Sequence, residues 1–475
     1  MAKNILIFSD GTGQIGGQKP DQKLSNIYKM YRAMRPGPDS PISPFEQAAY
    51  YDPGLGVGEI GGLTFKKVRQ GLAAAVGTGI DENVIDCYEK ILAYYEPGDK
   101  VLVFGFSRGA YTVRALANVM NLCGVPTKMP DGSPVPKYGK KLRKVASEAV
   151  LDVYNHGAGH KRGDKRLYKE REEKGKRFRA KYGSAPPEGE ADVQGNVQPH
   201  FIGVFDTVAA LGNSLVAWLV RGVFGLSILL TALSWYLSWP ILITLILGGF
   251  STLVGVWWAR ILAKSVKTFQ PDPEKPLKWR NPLHWQKLLK NSHYSTWKKK
   301  YYDKWLDSDV GFARHALAID EHRKNFPRVK WASQSEMDKN KGKNPDWLKQ
   351  VWFAGCHSDI GGSYAEDEAR LSDIALDWMI EELHECVPNI QVRDTLFTYP
   401  DPLGLQHKQT YVPGLEWLKI KWPVQVRYVD TQFALHSSVI ARLGAEKVPQ
   451  VDEVKPYRPE QLRKHPKAKK YFKKP

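Results

Sequence analysis

KVLVFGFSRGAYTVRALANVM, residues 100–120, reads as a strand, a sharp turn and a helix in immediate succession. Residues 100–105 form an apolar run with β-branched content, the pattern of a strand. Past the turn, Val113, Leu116, Ala117 and Met120 fall on one side of a helix. The turn, Gly105-Phe106-Ser107-Arg108-Gly109, is G-x-S-x-G in the setting a nucleophilic serine needs. Glycines two before and two after the serine leave room where the chain reverses against neighbouring backbone. The serine oxygen is then held out over the sheet edge, near the positive end of the new helix. The competing reading is a tight turn around a buried structural serine.

A serine nucleophile needs a base, and the base an orienting acid, in the chain order Ser, Asp or Glu, His for this arrangement. Downstream, HFIGVFDTVAALG puts Asp206 at the end of an apolar strand, 201–205, and QVWFAGCHSDIGGSY puts His357 just past another, 350–354. Both fall where strand carboxyl ends carry the sites of open α/β sheets. The plainer alternatives are a capping aspartate and a hydrogen-bonded structural histidine. Of two backbone donors for an oxyanion, one is expected from Arg108. The other is expected from Gly11 or Thr12 in the loop SDGTG (9–13) after the strand NILIF, with Asp10 bracing that loop. Asp359, two residues after His357, competes with Asp206 as the acid. His436 is a rival base, and His315 opens a helix pattern with Leu317 and Ile319 as a core histidine.

The haloacid-type opening D-x-D-G-T is broken because Phe8 stands where its nucleophilic aspartate would be. Neither GLGVGEIGG (54–62) nor the 105–109 turn continues into the Gly-Lys-Ser/Thr of a P-loop. The 54–62 run and GTG (77–79) read as loops lining the mouth of the site. The four cysteines lie far apart with no CxxC pair, and no Asp/Glu/His cluster spells a metal site, so neither cofactor nor metal is expected. HSDIGG offers oxygen ligands for calcium or magnesium at most.

IFSDGTG (7–13), SNIYKMY (25–31), GFSRGAYTVRAL (105–116), GVFDTVAALG (203–212), HALAIDEHRKNF (315–326), WFAGCHSDIGGSY (352–364) and LSDIALDWM (371–379) together resemble a bacterial and fungal family of α/β-hydrolase-like proteins. That family includes the type VI secretion phospholipase effectors with a GxSxG nucleophile. The resemblance implies a Ser107–Asp206–His357 triad and phospholipase or lipase activity. Two departures stand out: Phe205 replaces the family's usual Trp, and Ser363 its third glycine after the histidine motif.

From Gly222 to Ala259 the chain carries no charged residue, and Arg221 and Arg260 flank the run. As one helix it would span about 57 Å, against a hydrocarbon thickness of roughly 30 Å. A break at Ser238-Trp239-Pro240 yields a helical hairpin, the first arm short, with both basic flanks on the cytoplasmic side. A hairpin lying in one leaflet and a buried soluble hairpin are the alternatives. The net charge is +19. Residues 161–181 contribute eleven basic against four acidic side chains, and 461–475 seven basic and no acidic ones. No nucleic-acid-binding signature accompanies them, so no nucleic acid is expected and an anionic bilayer surface is. A solvated basic face is the bland alternative. The aromatic-basic stretch 283–305 suits lipid headgroups or core packing equally.

The expected class is α/β: an α/β-hydrolase-like, mostly parallel sheet with helices on both faces, two large insertions and a transmembrane helical hairpin. The core takes 1–124, 198–212 and 311–385. A basic insertion or lid occupies 125–197, a membrane-anchoring insertion 213–310, and a C-terminal extension 386–475. The N-terminus reads as a strand, not a secretory leader. The expected function is serine-dependent hydrolysis of a membrane phospholipid or other lipid ester through an acyl-enzyme on Ser107, at the inner membrane with the core on its cytoplasmic side. The rival is a membrane-bound scaffold on an inactive hydrolase fold.

Overall fold

Strands covered on both faces need apolar residues at nearly every position, and NILIFS, KVLVFGF and FIGVF all have them. In a computed structural model they lie side by side as β1 (Asn4–Ser9), β3 (Lys100–Phe106) and β4 (Phe201–Phe205). The structure describes residues 2–17, 23–54, 79–158, 160, 164–187, 192–208, 214–295, 304–411, 417, 419–451 and 453–472. The glycine-rich loop at 55–62 and the start of GTG at 77–78 therefore lie outside the described residues, as do 161–163 of the basic run, 296–303 and 473–475.

With β2 (Gln47–Asp52), β7 (Phe312–Ala318), β8 (Leu348–Phe353) and β9 (Ala434–Leu435), the strands build one main sheet, while β5 (Val266–Thr268) and β6 (Ser292–Tyr294) pair antiparallel in a small sheet of their own. Its order is β2-β1-β3-β4-β7-β8-β9, and every neighbouring pair is parallel. Alternate residues divide between two cores. Ile5, Ile7, Val101, Val103, Ile202 and Val204 face one, and Leu6, Phe8, Leu102, Phe104, Phe201 and Phe205 the other. Helix α1 (Asn26–Met34) packs on the second core, whereas α2 (Gly79–Tyr94) and α3 (Arg108–Cys123) pack on the first. The chain thus leaves β1 and β3 toward opposite faces. That reversal opens a crevice at their carboxyl ends, where such sheets bind ligands.

His315, expected to open a helix, lies inside β7. His315, Leu317 and Ile319 are spaced by two, which is the period of a strand, and its neighbours β4 and β8 cover both edges. The extension after residue 385 is tied into the core as well, since β9 pairs in parallel with β8.

The basic run folds as helix α4 (Lys165–Tyr182), with the Asp164 side chain accepting from Leu167 N at its start and Gly183 left-handed at its end. One face is buried through Leu167, Gly175, Phe178, Arg179 and Tyr182. Arg179 donates to Asp192 Oδ1 (2.7 Å) and Leu122 O (2.6 Å), so part of the charge is structural.

The apolar segment forms α5 (Ser214–Tyr236) and α6 (Ile241–Ser265), joined at Leu237–Pro240 with Ser238 at φ 51°. Ser234 Oγ donates to Thr244 Oγ1 (3.0 Å), and the hydroxyls of Thr231 and Ser251 lie 3.3 Å apart, so the arms run antiparallel. Apolar side chains point outward: Trp235 is 73%, Leu253 71% and Leu242 66% exposed. Among the described residues one helix, Ile241–Arg260, is long and apolar enough to cross a membrane. The first arm, for which the sequence predicts a second near-spanning helix, reaches only a shorter apolar stretch, Gly222–Tyr236.

Candidate active site

Ser107 closes β3 with φ 59° and ψ −118°, a conformation that costs a non-glycine residue energy and persists only where its surroundings enforce it. They do so here: a Cβ on Gly105 would collide with the backbone of Gly109 and Ala110, and one on Gly109 with the carbonyls of Ser9 and Asp10. Ser107 N donates to Phe205 O (3.2 Å), tying the turn to the end of β4. Since Phe106 pairs with Phe205, Ser107 and Asp206 are the next residues on adjacent strands.

Asp206 is fully buried, at φ 37°. Its Oδ2 lies 2.6 Å from His357 Nδ1. Its Oδ1 accepts from Arg427 (2.5 Å) and from Ala318 N (3.1 Å). Burial alone would push this carboxyl up, but the Arg427 guanidinium and the His357 imidazole hold it well below the usual carboxylate range. His357 is buried, packs on Phe106 at 4.7 Å between ring centres, and donates its backbone N–H to Glu321 Oε2 (3.2 Å). Its Nε2 is buried without a hydrogen-bond partner among the described residues.

Around the first strand's exit, a Cβ on Gly11 would stand 3.3 Å from Ser107 Cβ, so this loop lies against the serine turn. Gly11 spends its N–H on Asp10 Oδ1 (2.7 Å), which engages that donor within the loop. Thr12 Oγ1 accepts from Arg108 Nε. Arg108 opens α3, and its backbone N–H belongs to the first turn, where no intrahelical acceptor exists. Asp10 Oδ2 accepts from Ser25 Oγ (2.5 Å) and Tyr51 OH (2.7 Å), which ties this loop to α1 and β2.

The rival candidates have other partners. Asp359 accepts from Cys356 N (2.9 Å) and pairs with His407 Nδ1 (2.7 Å). His315 lies between Gln350 Oε1 (3.3 Å) and Thr207 N (3.4 Å). His436 caps helix α7 (Ser437–Gly444) by accepting from Ser438 N (3.2 Å) and stacks on Phe353. Ser363, where the resemblance leads one to expect glycine, sits at φ 86°.

Sequence reasoning missed Arg427, Glu321 and His407. Glu321 holds the His357 N–H while paired with Arg323 (2.7 Å). Arg427, also bonded to Ala318 O (3.1 Å) and Phe326 O (3.0 Å), follows no motif. A buried-arginine signal was available only in the apolar company of VQVRYV (424–429).

Two carboxyls at the β1–β2 end have raised affinities for their protons. Burial pushes Asp10 up to about 6 against the pull of Ser25, Tyr51 and Gly11. Burial likewise pushes Asp52 up to about 7, although it accepts from Ser9 Oγ and Asn83 Nδ2, both 2.7 Å away. Each binds its proton more tightly folded than unfolded. The stability each contributes is complete below about pH 4 and is lost as pH rises through about 6 and about 7 respectively. Thermal unfolding from pH 5 to 8 should show this decline, and Asp52→Asn should flatten it; an unchanged slope in the variant would refute the assignment.

The chain matches the family described as "T6SS, Phospholipase effector Tle1-like, catalytic domain" over residues 3–235 and 274–382. A curated relative, "Uncharacterized protein YEL023C" of Saccharomyces cerevisiae, is 33% identical over 133 residues, 26% of this chain and 18% of the yeast protein. Among solved structures, an uncharacterized protein from Pseudomonas aeruginosa aligns over 82% of this chain and 46% of its own, at 14% identity and a TM-score of 0.33. The structure of the Tle1 effector bound to the VgrG spike aligns over 78% and 53%, at 17% identity and a TM-score of 0.29. The chain thus spans about half the length of these solved proteins. With the family matched over most of its length, the chain belongs to the Tle1-like T6SS phospholipase-effector catalytic-domain family.

Proposed function

We propose that the protein is a serine-dependent ester hydrolase of membrane lipids, a phospholipase or lipase, in which His357 is the base, Asp206 its orienting acid and Ser107 the nucleophile. The observation that carries this reading is the Asp206–His357 pair, 2.6 Å apart, whose outer nitrogen Nε2 is left without a partner near the end of β3. With Nδ1–H donated to Asp206, Nε2 carries the lone pair a base needs. It removes the Ser107 proton as the oxygen attacks an ester carbonyl. The backbone N–H groups of Arg108 and Thr12 are the proposed oxyanion donors, with Gly11 shaping the loop between them. The alcohol or lysolipid leaves with the proton from His357, and water then cleaves the acyl-enzyme; the chemistry calls for no cofactor. That no hydrogen bond yet joins Ser107 to His357 Nε2 among the described residues suits a resting enzyme, in which such bonds tighten with substrate.

The outward apolar side chains of α5 and α6 support anchoring in a bilayer, which would cover a surface that water does not. The anchor, the cytoplasmic side of the inner membrane and the lipid substrate belong to this proposal. A lipid panel run with wild type and Ser107→Ala tests it. Release of fatty acid or lysolipid by wild type alone is expected; no turnover of any lipid or soluble ester by wild type would favour a scaffold.

Exposed lysines of α4, Lys165, Lys169 and Lys176, would draw the protein onto anionic lipid. Each is worth about 1 kcal/mol within a Debye length of roughly 8–10 Å. Arg166 and Arg177 are already engaged, donating to Lys290 O and Gln270 O. Reversing the three lysines to Glu should lower the initial rate on anionic vesicles, by a margin that salt shrinks, and leave a soluble ester unaffected. Superimposable vesicle curves would leave α4 a merely solvated face.

A further inference from the structure

Where the apolar hairpin returns to the body of the protein, two histidines and a glutamate converge. The strand pair β5–β6 begins directly after α6, and β6 carries His293. Facing it are His156, in the turn Tyr154–Gly157, and Glu170, on α4. One ligand atom from each lies within 4.8 Å of the other two. His156 is fully buried, and its Nε2 lies 2.8 Å from Glu170 Oε2. His293 Nε2 lies 2.5 Å from the carbonyl oxygen of His156. That carbonyl can only accept, so His293 carries its proton on Nε2 and a lone pair on Nδ1. The Nδ1 atoms of both histidines are buried without hydrogen-bond partners. His293 is held as a metal-binding histidine ordinarily is, one ring nitrogen donating to a carbonyl and the other left for the ion, whereas His156 can share an ion with Glu170 through Nε2, the nitrogen that already faces that carboxylate.

We propose that His156, Glu170 and His293 bind one divalent transition-metal ion of the zinc class, which pins the base of the hairpin to the basic insertion. Two imidazoles and one carboxylate are a set zinc accepts, with water completing four-coordination. The three residues lie 14 and 137 positions apart along the chain from His156, so no spacing motif announces them. The surroundings are otherwise basic, with Arg166 3.8 Å from Glu170 Oε1. Such a field opposes a hard cation held by charge alone and leaves selection to nitrogen ligands, which favour zinc over calcium or magnesium. The ion would reinforce contacts already present at the same seam: Ser295 Oγ donates to Asn155 O (2.7 Å) and Ala158 O (2.8 Å), and His160 Nε2 lies 2.8 Å from Tyr294 O.

The test uses the full chain in detergent, purified through a tag without histidines, stripped with chelator and dialysed against micromolar zinc chloride. Elemental analysis should find about one zinc per wild-type chain, and under about a tenth in His156→Ala/His293→Ala. Zinc should raise the wild-type melting temperature and leave that of His293→Gln unmoved. Should the variants fail to fold, wild type still decides: zinc should protect the half-buried His293 from diethyl pyrocarbonate, read by peptide mass spectrometry. Absence of retained zinc in wild type, equal zinc in the double variant, or equal modification with and without zinc would each overturn the site. Hydrolysis of a soluble ester is not the readout, so failure here is distinct from failure of the lipase reading.

Discussion

Ser107→Ala and His357→Ala should each lower turnover of a short-chain ester by roughly four to six orders of magnitude, as losses of members of such triads do. Asp206→Asn is expected to cost about 10⁴-fold, and the structure gives the reason. Oδ1 of Asp206 faces only donors, the Arg427 guanidinium and the Ala318 N–H. An asparagine would therefore turn its carbonyl oxygen to them and its NH₂ to His357 Nδ1. The histidine would then have to accept at Nδ1 and carry its proton on Nε2, the atom that must take the proton of Ser107. Folding should survive in this variant, because the packing volume is unchanged. Substrate affinity should change less than kcat, which separates a tautomer effect from a distorted pocket. A fluorophosphonate probe should label Ser107 in wild type and label it far more slowly in Asp206→Asn. Near-normal hydrolysis by Asp206→Asn alongside an inactive Asp359→Asn would transfer the acid's role to Asp359, despite the bond of Asp359 to His407.

Which parts of this arrangement were legible follows from how each is encoded. The strand–turn–helix around Ser107 is local, with apolar period, glycines and helix start within 21 residues, and it appears as read at Lys100–Phe106 and Arg108–Cys123. That Asp206 and His357 meet could be read because one directly follows a buried strand and the other lies a short loop past another, and strand ends in a parallel sheet gather at one edge. Arg427 could not be found this way. Its bond to Asp206 spans 221 positions, and no periodicity links an arginine in an extension to a carboxylate at the end of a central strand. Glu321 was obscured for a related reason: no motif marks it, and the chain leaves β7 at Ala318 and turns Glu321 inward against Arg323. Misreading β7 as a helix shows the limit of periodicity in short segments. Arg314 and His315 interrupt the apolar run, yet both are buried, Arg314 beside Glu382 and His315 against Trp331. Polar residues satisfied inside a sheet look like an amphipathic helix to a composition-based reading.

Replacing residues 214–262 by a short Gly/Ser linker should release the protein from membranes and leave hydrolysis of a water-soluble ester near wild type. The segment contains none of Ser107, Asp206, His357, Arg108 or Thr12, and its helices contribute no strand to the main sheet. Activity on bilayers should fall by about 10²- to 10⁴-fold, the range by which tethering raises effective concentration. A point variant gives an independent measure. Leu245 lies on the outward face of α6, 64% exposed, and an arginine there would cost about 2.5–3.5 kcal/mol if the helix crosses the bilayer centre. Leu245→Arg should therefore shift the protein toward the soluble fraction without touching ester chemistry. Depth is read from the turn. Ser238, at the tip between the arms, would reach the far side of a crossed bilayer but stay within the near leaflet of a hairpin lying in one half. In Ser238→Cys, with the buried or half-buried native cysteines left in place as background, a membrane-impermeant maleimide added from the far side should label the tip if the hairpin spans. Labelling only after detergent would place it within one leaflet. Wild type that fractionates as soluble without detergent, and is stripped from vesicles by alkaline carbonate, would refute both membrane placements.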